Sequence, residues 1–129
     1  MRYQDEVITF LKELASNVNY FVCIGWWHFG YGSYQMVYIP NKDSSNTIRI
    51  CIPHFGDANQ YNSEQLSIAI NETNREVKYV KVVKLDNGSI SINYDHKYDG
   101  EKDLHSMLLH MLKTLCFAAE YLKNKLSEK

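Results

Sequence analysis

The sequence has no surplus of either charge. Fourteen Lys and Arg face fifteen Asp and Glu, a formal net charge of −1, so no global field draws in phosphate backbones or anionic lipid. Nucleic acid and membrane surfaces are therefore not expected partners. No apolar run approaches the ~18 residues that read as a membrane span, and Met1-Arg2-Tyr3-Gln4-Asp5-Glu6 carries charge where a signal peptide needs an apolar core. This predicts a cytoplasmic protein. Cysteine is scarce and odd in number: Cys23, Cys51 and Cys116 stand far apart among apolar neighbours, which suits reduced, buried thiols rather than a disulfide framework.

Catalytic and metal-binding motifs are missing as well. There is no G-x-S-x-G, no CxxC and no glycine-rich loop leading into a helix. The five histidines are His28, His54, His96, His105 and His110. His105 and His110 are five residues apart, about 140° around a helix, and cannot share a metal as an i, i+4 pair can. His54 with Asp57, and Asp95 with His96, read as solvated polar pairs before they read as dyads. No enzyme class, cofactor or metal is suggested.

What the chain does contain is 129 residues with 45% hydrophobic content, enough for one compact domain spanning 1–129 that buries roughly two-thirds of its unfolded surface. Apolar residues at Tyr3, Val7, Phe10, Leu11, Leu14 and Val18 follow helical spacing, with Asn17 and Asn19 closing the helix. A first strand is expected from Tyr20 to Phe29, a second over Tyr34–Ile39 and, after a polar loop from Asn41 to Asn46, a third over Thr47–Ile52 that Pro53 ends. Asn62 and Gln65 resemble a capping box for a second helix, whose buried face is Leu66, Ala69, Ile70, Thr73 and Val77. Strands over Tyr79–Leu85 and Ser89–Tyr94 flank Asp86-Asn87-Gly88, where both Asn and Gly tolerate the positive φ of a tight hairpin. Asp99-Gly100 then opens a long helix from about Glu101 to Leu126. The order α-β-β-β-α-β-β-α, with no βαβ alternation, predicts an α+β fold with an antiparallel sheet packed against helices.

Two features exceed what a one-sided core needs. On the last helix Leu104, Leu108, Met111, Leu112, Leu115, Cys116 and their neighbours fill an arc of roughly 180°, against the ~100° of an ordinary amphipathic helix. The helix lies in a groove of its own domain, or the side bearing Leu109, Leu112 and Cys116 meets a second copy in a homodimer, or it lies on a membrane, which a polar face of Lys113, Glu120, Lys123 and two histidines rather than a run of bases disfavours. The adjacent Trp26 and Trp27 must point to opposite faces of a strand, with Phe29, Tyr34 and Tyr38 close behind. Such a strand is buried on both sides, covered by another subunit, or presented as an aromatic platform to a peptide or small molecule.

The element order resembles the type III secretion chaperone-like fold. Within it, Ile70-Asn71-Glu72-Thr73-Asn74-Arg75-Glu76-Val77-Lys78-Tyr79-Val80-Lys81, followed by Leu85-Asp86-Asn87-Gly88, resembles the bacterial YbjN family, in which an x-N-x-x-N-R helix end feeds a basic strand and a D-x-G hairpin. The resemblance implies a small, non-enzymatic, chaperone-like dimer whose surfaces bind a polypeptide. The near-neutral charge departs from the acidic balance usual in secretion chaperones. The competing readings are a small-molecule-binding domain or enzyme with a pocket at Trp26-Trp27, His28 being its polar handle, and an immunity-type toxin inhibitor.

Overall fold

A computed structural model describes residues 3–40, 46–98, 100 and 103–127. The elements run α1 (Tyr3–Leu14), β1 (Ser16–Phe21), β2 (Trp26–Tyr31), β3 (Tyr34–Ile39), β4 (Thr47–Asp57), a 3-10 turn (Ala58–Gln60), α2 (Ser63–Glu76), β5 (Val80–Lys84), β6 (Ser89–Lys97) and α3 (Leu104–Ser127). The six strands among the described residues join one antiparallel sheet in the order β1-β2-β3-β4-β6-β5. The α+β class with an antiparallel sheet against helices is as expected. All but Asn46 of the loop expected at Asn41 to Asn46, together with Asp99 and Glu101, lies outside the described residues.

Local boundaries differ from the expectation in instructive ways. The stretch expected as one strand from Tyr20 to Phe29 is two strands, because the chain reverses over Val22–Gly25: the Gly25 N–H donates to the Phe21 carbonyl at 2.8 Å and Gly25 takes φ 70°. Glycine enters that left-handed region without the steric cost a Cβ carries. Helix α1 stops at Leu14 rather than reaching Val18. Asn17, at φ 54°, places an extra residue in β1 opposite β2, a bulge that asparagine tolerates better than most. Nor does Pro53 end its strand. β4 continues to Asp57 through an irregularity between Ile52 and Gly56, and a bulge is where a residue without an N–H can sit inside a sheet. In the β5–β6 hairpin the positive φ falls on Gly88 and not on Asn87, whose side chain instead accepts from the Ser89 N–H at 2.9 Å.

Register separates the two faces. Trp27, Phe29, Met36, Tyr38, Ile50, Tyr94 and Val80 align across the strands with Ile48, Ile52, Ile92 and Val82 on one face, and these join the buried side chains of all three helices in one core. Helix α3 touches β4, β5 and β6 and is flanked by α1 and α2. Its wide apolar arc is thereby covered within the chain: Leu108, Met111, Leu112, Leu115, Ala118, Ala119 and Leu122 are all fully buried. On the other face Trp26, His28, Val37, Ile39, Arg49, Cys51, Asn93 and Asp95 alternate with the core residues, and they are not part of that cluster.

The helix caps use local side chains. The Asn62 carboxamide oxygen accepts from the Gln65 N–H at 3.0 Å and starts α2, while Asp103 accepts from the Ser106 N–H at 2.9 Å at the start of α3. Each satisfies a backbone donor that the first helical turn leaves without an intrahelical partner.

Candidate functional site

The two edges of the sheet are built differently, and that difference defines the candidate site. On β5, Asn74 of α2 reaches over the outer side of the strand. Its Nδ2 donates to the Val82 carbonyl at 3.0 Å and its Oδ1 accepts from the Val82 N–H at 2.6 Å. Both backbone groups that an incoming strand would use at the middle of this edge are thus occupied by a side chain of the same molecule. Exposed Lys81 and Lys84 on β5 add charge, the usual device for discouraging edge pairing.

The β1 edge has no charge and no clamp from a neighbouring helix; its one irregularity is the bulge at Asn17, whose carbonyl accepts from the Asn19 side chain at 3.0 Å, and the strand beyond it is plain. From Leu14 to Asn41 the sequence contains no Asp, Glu, Lys or Arg, so β1, its turn, β2 and β3 form an uncharged end of the sheet. The end of β1 and the turn beyond it carry large apolar side chains into solvent: Tyr20 and Phe21 of the strand are 49% exposed, Ile24 and Val22 of the turn 48% and 80%. Burial of such a cluster by a partner is favourable by roughly 25 cal/mol per Å2 of apolar area.

The aromatic side chains expected to form a platform are distributed over both faces. Trp26 and Trp27 point apart and are both half-buried. Trp27 lies on the helix side, against Tyr20 (ring centroids 5.0 Å apart) and under the Lys12 ammonium, 5.7 Å from its ring. On the opposite face Phe21 stacks on His28 at 4.1 Å next to Trp26. Phe29 and Tyr38 are 1% exposed and belong to the core, so neither is available to a partner. The hydroxyl of Tyr34 donates to the Glu120 carboxylate, tying the β2–β3 turn to α3, and burial followed by that carboxylate pushes the phenol well above its ordinary range.

On α3, Leu112 is fully buried, which corrects its assignment to a dimer-facing side: sheet, α1 and α2 together cover that arc. Leu109 and Cys116 are half-buried. The Cys116 thiol donates to the Tyr31 carbonyl at 3.9 Å, and burial raises its pKa. Cys51 is buried and its thiol is pushed up to about 12, chiefly by desolvation, a value at which it is neither nucleophile nor ligand at neutral pH. Cys23 differs from the expectation of a buried thiol, because it rides on the exposed β1–β2 turn.

The polar pairs are not dyads. His54 Nδ1 lies 3.0 Å from the Ser89 hydroxyl, whereas Asp57 accepts from the Asn59 N–H. Asp95 and His96 face opposite sides of β6, and Asp95 is held by Arg49. Among the described residues no group of His, Cys, Asp or Glu converges as a metal site. Sequence reasoning missed three things: the exposed apolar side chains from Tyr20 at the end of β1 to Ile24 in the turn, the Asn74 clamp and the positive φ of Tyr79. Gly25 and the absence of charge between Leu14 and Asn41 were the available signals for the first.

The chain matches no family model and no curated protein. Among solved structures it is similar to an uncharacterized protein from Methanothermobacter thermautotrophicus, with a TM-score of 0.63 at 12% identity over 97% of this chain and 96% of that one. At that identity the likeness establishes a shared fold. Among the described residues no helix is long and apolar enough to cross a membrane.

Proposed function

We propose that this protein is a non-enzymatic interaction module of the cytosol that takes an extended, uncharged polypeptide segment along the β1 edge, with Tyr20 and Phe21 at the end of β1 and Val22 and Ile24 of the turn gripping apolar residues of that segment. One observation carries this reading: the β1 edge is uncharged and apolar at its tip, while the β5 edge is clamped by Asn74. Strand addition supplies affinity through backbone hydrogen bonds and specificity through alternate side chains. The reading agrees with what the resemblance to the YbjN family and the secretion-chaperone-like fold implies, a surface that holds polypeptide.

Affinity capture from the native host, run in parallel with wild type and a Tyr20→Lys, Val22→Lys double variant, tests it. Both positions are exposed, so the variant folds, and circular dichroism checks that it does. A protein retained by wild type and lost by the double variant supports strand addition at this edge. Identical captures from both proteins would overturn it.

A further inference from the structure

At the end of the sheet farthest from β1, three aromatic rings meet in an arrangement that the proposed edge does not use. Tyr79 and Tyr94 are near-parallel (14°) with centroids 6.0 Å apart, and His110 of α3 stands edge-on to both, at 5.9 and 6.1 Å. The Tyr94 hydroxyl lies 3.3 Å from His110 Nδ1, and the other imidazole nitrogen lies 3.5 Å from the Thr114 hydroxyl. The histidine is therefore oriented from both sides. These rings line a cleft of about 500 Å3 together with Asp95, His96, Lys97 and Met107.

Tyr79 holds its place at a cost. Its φ is 75°, a conformation that is uncommon for any residue with a Cβ and a clear outlier for a bulky one. The strain does not serve to bury the ring, which is 69% exposed. Tyr79 lies in the turn that leads from α2 into β5, and its positive φ leaves the ring in solvent against two other rings, with most of its surface open to a ligand.

Charge selects the ligand class. The one carboxylate among the lining residues, Asp95, gives both oxygens to the Arg49 guanidinium, at 2.6 and 2.8 Å, and so has little attraction left for a cation. Lys97, on the same side of β6 as Asp95, supplies a positive charge at the rim of the cleft, and the rings and the Met107 thioether supply a flat apolar wall. We propose that this cleft binds a small planar aromatic anion, its ring against Tyr79 and Met107 and its acidic group toward Lys97. The site is independent of the β1 edge, and neither reading depends on the other.

The test is titration of the isotope-labelled protein with benzoate, followed by amide chemical shifts, with cyclohexanecarboxylate and benzylammonium as matched probes that lack the flat ring or the negative charge. Benzoate is expected to give saturable shifts clustered at Tyr79–Val80, Asp95–Lys97 and Met107–His110. The two control probes bind about 10-fold more weakly or not at all, and added salt weakens benzoate. Tyr79→Ala and Lys97→Gln each lower benzoate affinity by ~5-fold or more, while Tyr79→Phe retains it. Lys97 is exposed, so its variant remains informative even if the Tyr79→Ala protein is poorly folded. Absence of saturable benzoate shifts in the cleft, or equal binding of cyclohexanecarboxylate, overturns the proposal.

Discussion

Arg49 and Asp95 sit directly opposite each other on β4 and β6 and are joined by two hydrogen bonds, Nε to Oδ1 at 2.6 Å and an NH2 group to Oδ2 at 2.8 Å. The pair lies on the sheet face away from the helices. Its side chains are 47% and 42% exposed, so water screens it and its fork geometry counts for more than its Coulomb energy. A double-mutant cycle with Arg49→Met and Asp95→Asn is expected to give a coupling of about 0.5–1 kcal/mol in urea melts, shrinking at high salt. A coupling above that range, insensitive to salt, would mean that the face is covered rather than open.

Leu112 is a stability residue. Leu112→Ala is expected to cost about 2–5 kcal/mol, and Leu112→Glu to abolish cooperative unfolding altogether. Sedimentation distinguishes this from an interface role: a variant that stays folded but changes oligomeric state would contradict the burial of this side chain.

The three thiols should react in a fixed order. Cys23, exposed on its turn, modifies first, and Cys51 only as the protein unfolds. Cys51 also contributes to the alkaline limb of stability. Its folded pKa of about 12 exceeds the ordinary 9.0, so between those values the unfolded chain sheds a proton that the folded chain keeps, and stability falls as pH rises. Burial pushes Tyr38 and Tyr94 up as well, so the cysteine's share is read by difference. Cys51→Val should flatten the slope by at most about 1.4 kcal/mol per pH unit, and an unchanged slope would mean that the thiol ionises freely in the folded state.

The backbone at Tyr79 makes a separate prediction that needs no ligand. Asparagine tolerates the left-handed region better than alanine, so Tyr79→Asn should be more stable than Tyr79→Ala by roughly 0.5–1 kcal/mol. Both lose the ring contacts with Tyr94 and His110 equally, so the difference isolates the backbone. Equal thermal midpoints would remove the case for strain.

Much of this architecture was legible in the order of residues because it rests on periodicity. Leu104 to Leu122 could only be a helix with a buried arc, and Ile90, Ile92 and Tyr94 could only share one face of a strand. Composition could not say what covers the arc, since a groove between α1, α2 and the sheet and a second copy of the chain bury the same leucines equally well. The β1–β2 turn was hidden for a different reason. Val22 and Ile24 are β-branched and read as strand, and only Gly25 among them marks a reversal. Asn74 stood out within the x-N-x-x-N-R run without its purpose being readable, because its partner is a main-chain unit, Val82, which any residue at that position would supply equally.

The clamp by Asn74 sets a limit on assembly. A sheet with two receptive margins can add copies end on end into a fibre, whereas one whose far margin is occupied at Val82 has a single place to grow. Whatever strand settles on β1, from a partner or from another molecule of the same kind, uses up that place. If the β1 margin adds a strand as proposed, the sheet stops at that one addition, and the exposed apolar residues at its end do not propagate into an aggregate.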